Sequence, residues 1–423
     1  MRSCLKVLVL AQYFPPDMGG ASTRVSNVVK GLLRKGCEVK VVAAFPHYPH
    51  GKVPVKYKGK PVVPEQAGGA KVLRVWIPSL PHSSVVNRVV LHACFIVSCL
   101  FALPFVGGVD VVWAANPNLF CFFPAVVYGF VKRKPIVRNV DDLWPEVFYE
   151  LGLVRSKLMR KTLDFLAWLS YVVPAAVTPI SAGYKRRIVQ KYNVCAEKIH
   201  VIEVGVDGVE PLNLNEGKKG QFVVMYSGVL GLGYDFDVVL EAARILAKDD
   251  DIVFVIRGVG ELGPRLRRQI RSLNLRNVVL DTSFLPKDKL VALLCSADVF
   301  VLPMASASFV DEGLPTKVFE YQAYGKPIIC CSGGQPGRYV SETESGVVVK
   351  PGDYEALAKA VLYLRENRDV AEKLGASGRR YVENNLSIEK IGLKMMAVFN
   401  HVLRNSYVLR NSSRIRKAEQ QVT

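Results

Sequence analysis

Two glutamates and a lysine lie within one short stretch of the sequence, Glu312 to Glu320, which reads EGLPTKVFE. Pro315 is typical of a helix start, because the N–H that proline lacks would be unpaired there anyway. The free N–H groups and positive dipole end of such a helix attract phosphate. Lys317 and Glu320 are three residues apart and would share one helix face. The stretch therefore fits a nucleoside diphosphate, with phosphate at Lys317 and ribose hydroxyls at Glu320, although an ordinary amphipathic surface helix has the same spacing.

Two series of apolar strands and amphipathic helices must position this stretch. Leu5 to Ala11 is an apolar run that suits a buried parallel strand; a helix pattern and a second strand, Glu38 to Ala44, follow it. Residues 208–220, GVEPLNLNEGKKG, form the best linker candidate, and a second α/β series begins after them. The order predicts an α/β protein with two doubly wound, Rossmann-like halves facing across a cleft. Ligands of such sheets bind at the carboxyl ends of the strands.

Several residues of the first half follow predicted strands. Gly19, Gly20 and Arg24 come after the first strand, and a glycine pair lets the backbone approach a ligand, although a plain connecting loop also fits. Asp141 and Asp142 follow the predicted strand at 136–140. Adjacent carboxylates raise the pKa of one of them, so the pair could supply a general base. A cap for the next helix explains the same two residues.

Two segments of the first half are unusual in composition. Phe45 to Gly69 is rich in Pro, Gly, Lys and His and is predicted to be a long loop. Val89 to Val109 contains no Lys, Arg, Asp or Glu, and its length is close to the roughly 20 residues that span a bilayer. A buried core helix, a helix in the membrane interface and a true span all fit. Residues 85–109 are predicted to associate with the membrane as an interfacial helix.

The overall composition excludes several classes of protein. A chain of 423 residues is expected to form two or three domains. The nine cysteines show no CxxC pair, which favours a reducing, cytoplasmic compartment. The sequence has no P-loop, HExxH or GxSxG motif, and its glycine-rich loops do not form a dinucleotide fingerprint. A net charge of +19 fits anionic lipid, phosphorylated ligands or nucleic acid, but the aromatic and basic interleaving of an RNA-binding surface is missing.

The two-half layout and several motifs resemble the retaining glycosyltransferases of family 4, which have the GT-B fold. The matching pieces are YFPPDMGGASTR, FPHYPHGK, DDLWPE, YSGVLGLGYDFDVVLEAARIL, PTKVFEYQAYGKPI and GVVVKPGD. The resemblance spans about residues 5–405 and looks closest to the fucosamine-transferase-like group. It implies an acceptor-binding domain at 1–207, a nucleotide-sugar domain at 221–385, a helix at 386–405 that packs back on the first domain, and a basic tail at 406–423.

The resemblance also implies roles for individual residues. Glu312 would stabilise the reacting sugar and Asp142 would act as an acceptor-side acid, and these two are the predicted catalytic residues. Arg24 and Asp141 are expected on the acceptor side. The expected donor-binding residues contact ribose, phosphate, sugar or base: Glu320, Lys317, Gly313, Leu314, Pro315, Thr316, Arg257, Phe284, Leu285, Gly19, Gly20 and Gly228.

The sequence departs from the family in the donor half. Many members have Arg and Lys at the positions of Val229 and Tyr234, so Lys317, Arg257 and helix dipoles must meet the diphosphate charge. Near the linker the family often reads NGVD, and this chain reads VGVD at Val204 to Asp207.

The implied activity is transfer of a sugar, with retention, from a nucleotide diphosphate donor to an acceptor hydroxyl. The donor is expected to be a UDP-sugar, and the acceptor a glycolipid, a polyprenyl-linked sugar or a polysaccharide. No metal and no cofactor beyond this co-substrate is expected, and no nucleic-acid partner. The enzyme would be cytoplasmic and attached peripherally to the inner membrane face. A nucleotide-sugar epimerase of the same architecture is one alternative, and a non-catalytic membrane or nucleic-acid binder is another.

Overall fold

A computed structural model describes residues 4–48, 50–81, 84–115, 122–150, 152–208, 220–283, 285–306 and 311–422, with side chains given up to residue 406. The chain forms two compact units. The first contains residues 1–205 and 388–423, and the second contains residues 206–387. The predicted linker at 208–220 falls almost entirely outside the described residues.

The first unit is built on a seven-stranded sheet with the order β3-β4-β2-β1-β5-β6-β7. Its strands are β1 (Lys6–Ala11), β2 (Glu38–Ala44), β3 (Val62–Ala67), β4 (Ala70–Val75), β5 (Val111–Ala114), β6 (Ile136–Val140) and β7 (Ala176–Pro179). Its helices are α1 (Gly20–Arg34), α2 (Val85–Ala102), α3 (Phe123–Lys132), α4 (Glu146–Glu150), α5 (Lys157–Val172) and α6 (Ala182–Tyr192). All strand pairs are parallel except β3 with β4.

The strand β3 corrects the prediction of one long loop from Phe45 to Gly69. Its sequence, VVPEQA, lacks an apolar run because it is an edge strand, half exposed to water, and edge strands tolerate proline. Glu65 on this strand accepts a hydrogen bond from Nε of Arg74 at 2.7 Å, and Arg74 is fully buried on β4. The edge strand thus satisfies a buried cation.

The C-terminal helix α14 (Ile388–Val422) belongs to the first unit. It packs against α1, and the two helices touch at Gly31 and Gly392. A Cβ on Gly31 would lie 2.5 Å from the carbonyl oxygen of Ile388, so only glycine allows this close approach. The helix backbone continues through the predicted basic tail, whose side chains lie outside the described residues.

The second unit is built on six parallel strands in the order β10-β9-β8-β11-β12-β13. The strands are β8 (Phe222–Ser227), β9 (Ile252–Arg257), β10 (Val278–Asp281), β11 (Val299–Pro303), β12 (Ile328–Cys331) and β13 (Gly346–Val349). The helices are α7 (Phe236–Ile245), α8 (Gly263–Ser272), α9 (Lys287–Cys295), α10 (Thr316–Ala323), α11 (Gln335–Glu342), α12 (Tyr354–Glu366) and α13 (Arg368–Asn385). This strand order is that of a Rossmann domain, and it reverses between β8 and β11, where such sheets bind their ligands.

Candidate active site

The helix α10 starts directly after Pro315, as the sequence predicts. Its inner side is fixed by aromatic and polar contacts. The ring of Tyr321 stacks on that of Phe300 from β11, with 4.1 Å between centroids. The buried amide of Gln322 donates hydrogen bonds of 2.9 Å to Thr343 Oγ1 and Ser345 Oγ. The helix that presents Lys317 is therefore held rigidly on its sheet.

A tyrosine hydroxyl joins α10 to the loop after β8. Tyr321 Oη accepts a hydrogen bond of 3.0 Å from the N–H of Ser227 and donates one of 3.0 Å to its carbonyl. A phenol can both donate and accept, so a single side chain satisfies both backbone groups. This fixes the backbone at the residue that precedes Gly228.

Lys317 extends from α10 to the same loop. Its ammonium donates to Tyr234 Oη at 3.2 Å and lies 4.8 Å from the centroid of the Tyr234 ring and 5.6 Å from that of Tyr226. Gly228 has φ +152°, which L side chains rarely adopt, and a Cβ there would displace the Lys317 stem, whose Cε would lie 1.8 Å away. The helix after β11 thus delivers a positive charge to the loop after β8, where Val229 and Tyr234 carry none.

The second glycine-rich loop packs against the first, backbone to backbone. The N–H of Gly228 donates to the carbonyl of Arg257 at 2.9 Å, and the N–H of Leu230 donates to that of Val259 at 3.0 Å. The Arg257 side chain is buried, and it donates to Asp281 Oδ2 at 3.1 Å and to the carbonyl of Ser283 at 3.0 Å. Arg257 therefore lies beside the glycine loop, with a guanidinium that an aspartate already orients.

The remaining donor-site predictions of the second unit lie around α10 or just before α9. Gly313 and Leu314 are buried, and Glu312 is half-buried in the segment that leads to Pro315 and Thr316. Glu320 lies one turn after Lys317 at an exposed position of α10, yet the protein around its carboxyl group raises the pKa of that group above its ordinary value, and Lys317 opposes this rise. Leu285 is half-buried ahead of α9, and Phe284 lies outside the described residues.

In the first unit, a buried aspartate fixes the loop that carries the predicted glycine pair. Gly19 precedes α1 with φ +105°, and Gly20 is the first residue of that helix. Asp17 Oδ1 accepts hydrogen bonds from the backbone N–H groups of His47, at 2.7 Å, and of Tyr48, at 2.8 Å. Burial raises the pKa of Asp17 to about 6 and lowers the pKa of His47 to about 4. His47 is therefore neutral at pH 7, and Asp17 is mostly ionised.

The sequence did not predict that Asp17 and His47 fix the loop before α1. It also did not predict the contacts of Tyr226, Tyr321 and Gln322 around α10. Their signal is weak, because each is a single polar or aromatic residue: Asp17 and His47 lie in loops after strands, Tyr226 lies on β8, and Tyr321 and Gln322 lie on α10. The motifs YFPPDMGG and FPHYPHGK did contain the first two.

The structure contradicts the predicted contact of Arg24 with the acceptor. Its guanidinium is buried, with the whole residue only 1% exposed, and Nε lies 2.7 Å from Asp141 Oδ1. It also donates to Asn139 Oδ1 at 2.7 Å and to the carbonyl of Ile202 at 2.7 Å. An acceptor cannot contact a side chain in this position. Arg24 instead holds Asp141, which is half-buried, beside Asp142.

Asp142 gives a test of the two explanations for the aspartate pair. Asp142 is exposed as a residue, but the surrounding protein still reduces the solvation of its carboxyl group. This desolvation and, to a smaller extent, the negative charge of Asp141 raise the pKa of Asp142 to about 7. Since the carboxyl is protonated below that value, a general base here would make kcat/KM rise between pH 6 and pH 8. We expect the pH–rate profile to show this inflection and the Asp142→Asn variant to lack it. An unchanged profile in the variant would leave Asp142 as a loop residue.

Comparison with known proteins identifies the two halves of the chain separately. The family model described as Glycosyltransferase Family 4 matches residues 18–208, and the model described as Glycosyl transferases group 1 matches residues 213–381. Together the two models cover most of the sequence.

Two curated relatives illustrate the similarity. The chain is 26% identical to a putative colanic acid biosynthesis glycosyl transferase, WcaI, of Escherichia coli, over 92% of this chain and 98% of that protein. It is 24% identical to an MMP alpha-(1->4)-mannosyltransferase of Mycolicibacterium hassiacum, over 59% of this chain and 60% of that protein.

Solved structures agree in fold. Sucrose-phosphate synthase from Thermosynechococcus elongatus aligns with a TM-score of 0.72 at 16% identity, covering 95% of this chain and all of that one. The Anabaena protein HepE in complex with UDP-glucose aligns with a TM-score of 0.67 at 16% identity, covering 94% of this chain and all of that one. The expected fold is confirmed as GT-B, and with both halves matched by its models the chain belongs to glycosyltransferase family 4.

Proposed function

We propose that this glycosyltransferase moves a sugar from a UDP-sugar to a hydroxyl of a glycolipid, polyprenyl-linked or polysaccharide acceptor, with retention of anomeric configuration. The observation that carries the proposal is the position of Lys317, whose ammonium lies at Gly228 where the second sheet reverses its strand order. The name of WcaI, which refers to polysaccharide biosynthesis, and the UDP-glucose complex of HepE favour this substrate class. The closer likeness to fucosamine transferases stays a prediction.

The proposed chemistry depends on stabilising the leaving group. As the nucleoside diphosphate departs, negative charge grows on its phosphate and oxocarbenium-like charge grows on the sugar. Lys317 and the N-terminus of α10 are fixed before the reaction, so they stabilise that phosphate without reorganising. Glu312 would orient the sugar and stabilise its positive charge. The acceptor proton can pass to the departing phosphate oxygen or to Asp142, and the pH–rate profile of Asp142→Asn distinguishes the two routes.

No metal or resident cofactor enters the proposal. Within the part of the chain that the structure describes, no group of three or more His, Cys, Asp or Glu side chains could hold a metal ion. The positive charge at the diphosphate is instead assigned to Lys317 and to the backbone N–H groups of α10.

Replacing Glu320 with Ala tests the ribose assignment. We expect UDP affinity to fall roughly 10- to 100-fold, because hydrogen bonds from the ribose hydroxyls to a carboxylate are lost. Isothermal titration calorimetry measures this directly. The matched control is Glu372→Ala, which removes an exposed glutamate from α13 in the same unit. If both variants bind UDP like the parent, Glu320 does not bind ribose.

Product analysis tests the epimerase alternative, and binding measurements test the alternative of a non-catalytic membrane or nucleic-acid binder. An epimerase would change the configuration of the donor sugar, or release it, without any acceptor. A non-catalytic binder would bind RNA or vesicles in a salt-sensitive way and would bind no nucleotide sugar.

A further inference from the structure

Three neighbouring helices cover one face of the first sheet. On α2, Leu91, Phe95, Cys99 and Ala102 are fully buried and share one hydrophobic core with Ala125 of α3 and with β1, β2 and β5. The helix α5 lies on the same face. The Arg138 guanidinium of β6 lies 5.7 Å from the ring of Phe122, just before α3, and 4.4 Å from the ring of Tyr171 on α5. The helices α2, α3 and α5, with the turn after α2, are called the three-helix face below.

The outer side of the three-helix face is apolar. Phe101 is 74% exposed at the end of α2, and Phe130 is 84% exposed at the end of α3. The large apolar side chains exposed on this face are Val86, Val89, Val90, Val97, Phe101, Phe105, Phe123, Val127, Phe130, Val131, Leu158, Met159, Phe165, Trp168 and Val172. A soluble monomer rarely exposes so many on adjacent elements, and such a surface marks a binding partner.

The core contacts of α2 decide how it can meet a membrane. By length and composition, Val86–Val106 could cross a bilayer. A crossing, however, would pull Leu91, Phe95, Cys99 and Ala102 out of the core between α2 and the sheet. Each buried apolar side chain stabilises the unit by about 1.5–3 kcal/mol, with less for alanine, so this loss is large for a domain. The inner side of α2 therefore stays on the sheet, and only its outer side is available to lipid.

Basic residues lie at the ends of the same helices. Lys132 and Arg133 are exposed at the end of α3, where Phe130 and Val131 are also exposed. Exposed Arg155, Lys157 and Lys161 lie before and within the first turns of α5. An apolar surface with cations at its edge matches the acyl boundary and the negative headgroups of an anionic bilayer. This charge pattern favours lipid over a second copy of the same basic chain.

We infer that the three-helix face docks on the surface of an anionic bilayer and lies in its interface without crossing it. The membrane contact then includes α3 and α5 in addition to residues 85–109, and α2 does not cross the bilayer. It does not depend on which sugar the enzyme transfers. Its consequence for function is that the enzyme would work at a surface where lipid-linked acceptors are concentrated.

Flotation of the full-length chain with vesicles tests this inference. Vesicles of phosphatidylcholine alone are compared with vesicles that contain phosphatidylglycerol. We expect the parent to float with the anionic vesicles, and the Phe101→Ser/Phe130→Ser double variant to lose roughly tenfold or more in partitioning. The matched control is Leu393→Ser, because Leu393 is 49% exposed on α14, outside the three-helix face of the same unit.

Additional measurements separate loss of membrane binding from misfolding and from failure of the sugar-transfer proposal. The melting temperature and UDP binding of the double variant should match the parent. Charge reversal, Lys132→Glu with Arg133→Glu, should lower partitioning to anionic vesicles. The inference is overturned if the parent stays soluble beside anionic vesicles, or if the double variant floats like the parent. A dimer that the double variant disrupts, without vesicle binding, would also overturn it and assign the face to a second copy.

Discussion

The Glu312→Gln variant is expected to turn over about a hundredfold or more slowly while binding UDP as the parent does. Gln keeps the size of the side chain and one acceptor oxygen, replaces the other oxygen with an NH2 donor, and removes the negative charge. In the proposed chemistry that charge is needed only when the sugar becomes positive, so its loss lowers kcat and leaves ground-state binding of the nucleotide unchanged.

Sugar transfer and UDP calorimetry, measured on the same preparation, separate these two effects for Glu312. The exposed Glu342 at the end of α11 provides the control variant Glu342→Gln, which should keep full activity. A Glu312→Gln enzyme with parental turnover would remove Glu312 from the catalytic residues. A variant that loses UDP affinity as strongly as turnover would move Glu312 to donor binding.

The Lys317→Met variant is expected to bind UDP roughly 10- to 100-fold more weakly and to bind uridine unchanged. Methionine retains most of the apolar stem that packs at Gly228 but removes the ammonium that is proposed to bind the diphosphate. The resemblance places cations of many family members at the positions of Val229 and Tyr234, so in the proposed site Lys317 would bear much of the diphosphate charge. Tyr234→Phe should have a smaller effect, about three- to fivefold, since it removes only the hydroxyl that holds the ammonium.

Comparing UDP with uridine shows whether Lys317 acts on phosphate. The control is Lys359→Met, an exposed lysine on α12 of the same unit. Equal losses for UDP and uridine in the Lys317→Met variant would indicate a damaged site. Unchanged UDP binding would assign the diphosphate to other groups, Arg257 first among them.

Most of the fold could be predicted from the sequence because its strands are buried on both faces. Runs such as Leu5 to Ala11 read as parallel strands, and Pro315 predicted the start of α10 correctly. The edge strand β3 could not be found this way. Its side chains are only partly buried, and its pairing with β4 satisfies a buried arginine that no local pattern reveals.

The position of α10 could be predicted because its residue types cluster in sequence, whereas contacts made through space could not. Glu312, Lys317 and Glu320 share one motif that an ordinary amphipathic helix also fits, and the ligand roles that the family resemblance implies for them stay predictions. Tyr234 and Tyr321 contribute through contacts with Lys317 and Ser227, which lie 83 and 94 residues away from them in the chain. Arg24 was predicted to contact the acceptor from its position in the sequence, and this prediction was wrong. It follows the glycine pair closely, but its position on α1 turns the side chain into the core.

The proposed activity requires the chain to bind a nucleoside diphosphate through α10 and the loop after β8. Thermal unfolding, followed while UDP, GDP, dTDP and ADP are titrated in turn, measures this binding. A ligand at a hundred times its Kd stabilises the folded state by about 2.7 kcal/mol, which is a clear rise in melting temperature. UDP should give this rise in the parent and a much smaller one in Lys317→Met. If none of the four nucleotides raises the melting temperature of the parent, the chain does not bind a nucleoside diphosphate at this site.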